Sequence, residues 1–433
     1  MKKSNWCKIT SVLLAIALLC TFLGACGDDD FDVPQPPDPQ PTDAPTLRVL
    51  IDLSLEGSTS AICRDIKSLI EQYAEGCGEK YQVTVEALPT ISEPDVRNPT
   101  LTGLHMELMG DGPDLFILRN FSSNSGPYTD VKNFFPFPTS AMRQRLLLPL
   151  DDYIKDDPNW ENLQPAVMEA GKLNGSQQIV PLSYRITTSL LDVDKYDLTV
   201  KTPMTWEQML DSGDPVLRRA ACGLPDSNAE ILGVLADYQE EELRFTEEEL
   251  QEVIRRLRRE LADLGSFDVM EAGFDPLSVS VSPLNDSFFY ASSEDNFWMI
   301  PSYNREGGVT ARVGVYAAVN RGTKYPDECY EVLKALTSEG AQRSESLTTL
   351  GLPVYMDMGQ ETSPAATDWY LDDWDYQQLK TLQGQINAVE FTTPLTDELT
   401  TLFQECLQME DQGEVEQTVH DAYITMKMML AES

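Results

Sequence analysis

Hydrophobic and polar positions along this chain switch between two periods. Leu47 to Leu53 is a short, mostly apolar run, which suits a strand buried on both faces of a parallel sheet. Ile62, Ile66, Leu69, Ile70 and Tyr73 then recur at helical spacing and stop at Gly76, predicting an amphipathic helix closed by a glycine. Tyr81 to Leu88 alternates and is rich in valine, a second strand. Leu101, Leu104, Leu108 and Met109 predict a second helix ending at Gly110. Turn residues follow, Gly110-Asp111-Gly112-Pro113-Asp114, and then a third apolar run, Leu115 to Leu118, which gives way at once to Arg119-Asn120-Phe121. Strand, helix, strand, helix, strand is the order of a doubly wound α/β sheet. Ligands in such sheets lie just past the carboxyl ends of the strands. Arg119, Asn120 and Phe121 are therefore candidates to face a ligand, with an internal salt bridge as the competing role for the first two.

The middle of the chain repeats the same vocabulary less regularly. Gly171-Lys172-Leu173-Asn174-Gly175 reads as a turn, Gln178 to Leu182 as a strand leading into Ser183-Tyr184-Arg185, and Thr188 to Val193 as another strand. Thr205 with Gln208, and Thr246 with Glu249, have the spacing of capping boxes. The second opens a charged helix to about Leu264, whose Arg255, Arg256, Arg258, Arg259 and Glu260 predict a solvated face. Phe297 to Tyr303 is an aromatic strand end, and Val309 to Asn320 a long strand. Helices are expected over Asp327–Thr337 and Glu339–Leu350, and then near 368–387, 395–410 and 415–431.

The first residues are an address rather than part of the fold. Lys2, Lys3 and Lys8 precede the apolar run Ser11–Phe22, then Leu23-Gly24-Ala25-Cys26, the layout of an export signal too short to span a membrane comfortably. Leu-Gly-Ala before a cysteine resembles a bacterial lipoprotein processing site, which implies cleavage before Cys26 and lipid on its thiol; a plain signal with a chance cysteine is the alternative. Pro34, Pro36, Pro37, Pro39, Pro41 and Pro45 then make a stiff spacer within residues 26–45.

Composition narrows the partners. Three of the 32 basic residues and none of the 71 acidic ones lie in residues 1–25, so the rest of the chain has 29 basic against 71 acidic side chains. Nucleic acid, anionic lipid head groups and phosphorylated ligands are disfavoured, a neutral polar solute is not, and a cation is admissible. The length beyond the spacer exceeds one ordinary core, which predicts two domains. Beyond Cys26, Cys63, Cys77, Cys222, Cys329 and Cys406 are scattered and read mostly as small buried hydrophobes. With His105 and His420 the only histidines, far apart in sequence, neither a His-rich metal site nor a His-based triad is expected, and no cofactor motif occurs.

In this order the parts resemble a family. Val83-Thr84-Val85-Glu86, Gly112-Pro113-Asp114-Leu115, Gly171-Lys172-Leu173-Asn174-Gly175 with Val180-Pro181-Leu182, Thr205-Trp206-Glu207-Gln208-Met209-Leu210, Val315 to Asn320, Tyr325 to Lys334, Leu336 to Gln342 and Gly351-Leu352-Pro353-Val354 succeed one another across residues 46–433. They resemble the extracellular solute-binding proteins of ABC importers, in the sugar-binding group similar to maltose-binding protein. The chain departs from that pattern at Phe288-Phe289-Tyr290-Ala291-Ser292, where small residues are expected.

The resemblance implies an α/β, two-lobe periplasmic-binding-protein-like fold of type II, each lobe a mainly parallel sheet flanked by helices, with C-terminal helices. Lobe one would be 46–184 with a return segment 312–355, and lobe two 185–311 with the C-terminal helices 356–433. It implies a monomeric, non-enzymatic receptor, lipid-anchored on the outer face of the cytoplasmic membrane, that closes on a neutral mono- or oligosaccharide and delivers it to ABC permease subunits. Sugars need flat rings to stack on and planar polar groups for hydroxyls. Trp298 and Tyr303 are the stacking candidates; Tyr184 and Arg185 lie at the expected lobe crossing, as contacts or as hinge packing. Glu56 either accepts from hydroxyls or caps the next helix, Trp206 reads as core, and Asp114 as a turn residue. Two other readings compete: the same fold binding a cation such as a polyamine, and a secreted carbohydrate-acting enzyme using paired carboxylates.

Overall fold

Strand β1 (Thr46–Asp52) sends Leu47, Val49 and Ile51 to one face and Leu50 to the other, and all four are buried. β2 (Gln82–Ala87) and β3 (Leu115–Leu118) flank it in parallel. β3 repeats the division, with Leu115 and Ile117 on the first face and Phe116 and Leu118 on the second. The helix Thr59–Cys77 covers the first face with Ile62, Ile66, Ile70 and Ala74, and the helix Pro94–Glu107 covers the second with Leu101 and Leu104. A sheet covered on both sides favours apolar residues on both faces, which is why β1 and β3 read as mostly apolar runs, whereas β2 alternates, with Gln82 and Thr84 exposed. Each such side chain contributes about 1.5–3 kcal/mol of transfer free energy.

The structure, a computed structural model, describes residues 44–53, 59–78, 81–108, 110, 112–122, 132–192, 203–223, 225–264, 274–280, 297–348, 350–356 and 373–433. The expected signal, Cys26, most of the spacer and Glu56 lie outside them. The compact unit runs from Ala44 to Ser433.

Two short hairpins follow the opening unit. β4 (Lys172–Leu173) and β5 (Ser176–Gln177) are joined by Asn174 and Gly175, at φ 54° and 77°. Two successive left-handed residues make a type I′ turn, and Asn-Gly is its preferred sequence. β7 (Ala236–Asp237) and β8 (Glu242–Leu243) form the other hairpin. Between them lies β6 (Ile179–Asp192), a single strand of 14 residues where the sequence pattern predicts two strands. Tyr184 and Ile186 are fully buried, so the chain gains nothing by turning there.

β9 (Phe274–Ser280) and β10 (Phe297–Pro301) pair antiparallel with the later part of β6. β11 (Val309–Val319) runs antiparallel to both β3 and the earlier part of β6. β12 (Leu352–Pro353) adds to β6, and β13 (Ile386–Glu390) runs parallel to β11. The path through the sheet is β10-β6-β11-β3-β1-β2. The α/β class expected from the order of elements is the one observed. At the junction of β6, β11 and β12 the backbones approach closely. A Cβ on Gly351, whose φ is 144°, would stand 2.8 Å from the Tyr184 carbonyl oxygen, and one on Gly314 would stand 2.7 Å from Ser183 Oγ.

Three expectations change. Residues 386–390 are strand, not the end of a helix. The expected helix Glu339–Leu350 is two short helices, Glu339–Gln342 and Glu345–Thr348. The charged face of the helix Glu247–Asp263 is in part a contact surface. Glu260 is 5% exposed and accepts from Arg218 Nε and Nη2 at 2.9 and 2.6 Å, Arg258 donates to Gln412 Oε1 at 2.8 Å, and Arg256 lies over the Trp206 ring at 5.9 Å. Both capping boxes are formed. Cys63, Cys77, Cys222, Cys329 and Cys406 are free thiols, and all but Cys77 are buried.

Candidate functional site

β6 and β11 each change partners along their length. β6 pairs with β11 over Ile179–Tyr184, and with β9 and β10 over Thr187–Asp192. β11 pairs with β13 up to Arg312, and with β6 and β3 from Val313 on. Arg185 occupies the gap on β6, next to Tyr184, which opposes Val313. Arg185 and Arg312 thus stand at one crossing of two long strands.

β3 brings Arg119 beside this crossing, since Leu118 pairs with Tyr316 on β11 and the neighbouring Val315 pairs with Ser183 on β6. Arg119 follows Leu118 directly, and its backbone N–H donates to the Asp52 carbonyl at 2.8 Å, across the carboxyl end of the parallel strands. Its guanidinium carbon lies 5.5 Å from the centre of the Phe121 ring, a cation–π distance. Its Nε is buried without a hydrogen-bond partner.

Glu230 supplies negative charge. It belongs to the 3₁₀ helix Pro225–Leu232 and is buried. Its Oε1 accepts from Arg312 Nε at 2.9 Å and from Thr187 Oγ1 at 3.1 Å, while its Oε2 has no partner. Thr187 and Arg185 are two apart on one strand and so share a face, which puts Arg185 on the side of Glu230 and Arg312. Glu390 ends β13 opposite Arg312 and accepts from the Leu235 N–H at 2.8 Å.

The electrostatics follow from burial with incomplete pairing. Burial disfavours the charge on Arg119. Arg185 is pushed down by burial first, then by Arg119 and Arg312, with Glu230 opposing. Burial raises Glu230 against the pull of Arg312, Thr187 and Arg185. Burial pushes Glu390 up to about 8, despite the Leu235 N–H and Arg312.

The other sequence candidates divide into two groups. Asn120 is spent inside the protein: Nδ2 donates to the Phe135 and Thr392 carbonyls at 3.0 and 2.8 Å, and Oδ1 accepts from the Tyr316 hydroxyl at 3.1 Å. Tyr184 is fully buried, and its hydroxyl accepts from Gln383 Nε2 at 2.7 Å. Tyr303 is 1% exposed and donates to Gln385 Oε1 at 2.9 Å. These two rings were expected as stacking or crossing contacts; they are core, because each hydroxyl finds an internal amide partner. Phe121 is held by Asn133, which bonds its N–H and its carbonyl, both at 2.8 Å, and its ring stays partly exposed. Trp298 is partly exposed on β10, opposite Leu191. Trp206 is core, with Nε1 donating to the Ala221 carbonyl at 2.9 Å. Asp114 accepts from the Arg48 N–H at 2.8 Å and from Thr323 Oγ1 at 2.6 Å, a turn role.

Arg312, Glu230, Thr187 and Glu390 were not foreseen. The signal for Arg312 was a single charge within the apolar run Val309–Val319, and Glu230 stands likewise between Ala229 and Ile231. Cavities bounded by described residues lie elsewhere. One of about 440 Å³ is bounded by Phe134, Phe135, Phe137 and Ser433, and one of about 170 Å³ by Thr46, Gly112, Asp114 and Asn320, at the amino ends of β1 and β3.

No protein-family model matches the sequence, and no curated protein matches it either. Solved structures do match in fold. An extracellular solute-binding protein family 1 member from Alicyclobacillus acidocaldarius subsp. acidocaldarius DSM 446 is 13% identical, with a TM-score of 0.57, covering 90% of this chain and 100% of its own. A periplasmic oligogalacturonide binding protein from Yersinia enterocolitica is 13% identical at a TM-score of 0.58, with 89% and 99% covered. A de novo designed cysteine esterase is 14% identical at 0.61, with 90% and 98% covered. The likeness establishes a periplasmic-binding-protein-like fold, as the sequence resemblance implied. Function must be argued from the site, since one fold hosts many.

Proposed function

We propose that this protein is the solute-binding receptor of an ABC importer, capturing a carbohydrate and delivering it to a permease without chemistry of its own. The observation that carries this reading is the change of partners along β6 and β11. Two strands that leave one set of neighbours for another at Arg185 and Arg312 are what a hinge between two lobes requires. The lobes are then 46–184 with 312–355, and 185–311 with the C-terminal helices 356–433. Solute would enter at the carboxyl ends of β1 and β3, between Arg119 and Arg185, with Phe121 beside Arg119; Trp298, opposite Leu191 and six residues along β6 from Arg185, would offer a ring to an extended chain of sugars. Among the described residues no helix is long and apolar enough to cross a membrane. Lipid on Cys26 and the proline-rich spacer would hold the body at the outer face of the membrane. A cation such as a polyamine would meet three guanidinium groups at the crossing, which argues against that alternative. Glu230 and Glu390 are buried and bonded there, which argues against paired catalytic carboxylates.

The test is thermal unfolding of the full-length chain, purified in mild detergent, against mono- and oligosaccharides, polyamines and amino acids. A ligand that binds the native state alone raises its stability. A melting shift with sugars and no turnover supports the receptor. A shift with polyamines only, or release of reducing ends from the sugars, would overturn it.

A further inference from the structure

Among the described residues the strand crossing carries more positive charge than is neutralised. Three guanidinium groups, Arg119, Arg185 and Arg312, stand against the carboxyl groups of Glu230 and Glu390, and burial keeps a proton on Glu390 at neutral pH. Glu230 is taken up by Arg312. Glu390 is buried against the Leu235 N–H. Arg119 and Arg185 have no side-chain hydrogen bond or ion pair among the described residues, and Arg119 Nε is a buried donor with nothing to donate to. Uncompensated buried charge and unpaired buried donors are costly and rare. They persist where a ligand completes them.

We propose that Arg119 and Arg185 receive a carboxylate of the solute, so that the carbohydrate taken up is a sugar acid, a uronate or a short chain containing one. The proposal rests on the receptor reading and replaces the neutral solute that bulk charge suggests. A guanidinium fork matches a planar carboxylate with two parallel hydrogen bonds. The Phe121 ring lies beside Arg119, its centre 5.5 Å from the guanidinium carbon. A carboxylate adds one negative charge against this excess, and a guanidinium fork also holds phosphate, which is therefore an arm of the test. The field of a chain with net charge −39 is screened beyond roughly 8 Å at physiological salt, so it does not govern contact of either anion at the arginines.

The experiment compares matched acidic and neutral sugars on the full-length chain in detergent. Galacturonate, glucuronate and their dimers and trimers are set against galactose, glucose and their dimers and trimers, with inorganic phosphate alone as a further arm. The readouts are melting shift and calorimetric affinity. The expected result is a shift with an acidic sugar, with affinity at least about tenfold above its neutral counterpart and falling as salt rises. Arg185→Gln should lose about a hundredfold in that affinity while melting no lower than the wild type without ligand, since it removes a charge that has no internal partner. A neutral sugar that binds as well as its acid, unaffected by Arg185→Gln, would overturn the carboxylate and leave the receptor standing. A shift with phosphate and with no sugar would overturn both, as would polyamine binding alone. An Arg185→Gln chain that melts well below wild type without ligand would give Arg185 a structural role and overturn the proposal, and Arg119→Gln read in the same two assays guards against failure of one variant to fold.

Discussion

Arg97 and Asp52 form a buried bidentate ion pair at the carboxyl end of the first strand. Nη2 donates to Oδ2 at 2.6 Å and Nη1 to Oδ1 at 2.9 Å, with side-chain exposures of 0% and 1%. Arg97 also donates to the carbonyls of Lys132 and Pro89, at 3.0 Å each. The pair ties the helix Pro94–Glu107 to β1 and to the loop before the short helix Pro138–Arg143, next to where Arg119 emerges. Its contrast with Arg119 and Arg185 is the main electrostatic fact about this protein. One fully buried arginine is fully paired, and two partly buried ones at the crossing are not.

Removing one member of the pair leaves the other charged and buried. Arg97→Met is expected to cost about 3–5 kcal/mol, read as a lower urea midpoint with an unchanged slope. The double variant Arg97→Met with Asp52→Leu should recover much of it. A single variant within about 0.5 kcal/mol of wild type would contradict the pairing.

Glu390 gives the protein a dependence on pH. Burial raises its pKa from 4.5 to about 8, so the folded state keeps a proton that the unfolded state releases above about 4.5. Stability should therefore fall as pH rises between those values, by up to about 1.4 kcal/mol per unit from this group. Glu230 is raised in the same direction and adds to the slope. Glu390→Gln keeps an acceptor for the Leu235 N–H and should flatten the profile, measured by urea unfolding at several pH values. A slope as steep in the variant as in wild type would exclude Glu390 as its source.

Tyr184 separates packing from recognition. Its hydroxyl joins β6 to the helix Asp373–Gln383 through Gln383 and is sealed from solvent. Tyr184→Phe should lose about 1 kcal/mol of stability and leave solute affinity within about twofold. A tenfold loss of affinity with intact stability would return Tyr184 to the site.

Trp298, like Phe121, keeps exposed surface, and it should behave in the opposite way. Trp298→Ala is expected to weaken sugar binding about tenfold or more, with the intrinsic fluorescence change on binding reduced. Unchanged affinity and fluorescence response would remove it from the site.

The first half of the fold was legible because β1 and β3 are buried on both faces, β2 and the helices on one, and each condition leaves a distinct pattern. The Asn174-Gly175 turn and the Thr205 and Thr246 caps were legible because the backbone demands those residue types. β13 was not. Its alternation lasts five residues, with Ile386, Ala388 and Glu390 inward, and helical patterns flank it. The continuity of β6 was hidden because Ser183-Tyr184-Arg185 looks like a polar exit, whereas Ser183 Oγ donates to the Leu350 carbonyl and Tyr184 finds Gln383. In the site, Arg119 was found by its position at a strand end, and Arg185 through the family resemblance, which put it at the expected lobe crossing. Arg312 and Glu230 join them only through the pairing of strands far apart in sequence, which no local pattern records.

The central claim is that solute is held at the β6–β11 crossing. Hydrogen exchange on the full-length chain, with and without a sugar that shifts its melting, tests this most directly. The account predicts slower exchange together in peptides covering Arg119–Ser122 and Ser183–Thr188, with the peptides around Phe134–Phe137 and Ser433 unchanged. Protection confined to the latter, or none at Arg119 and Arg185, would contradict it.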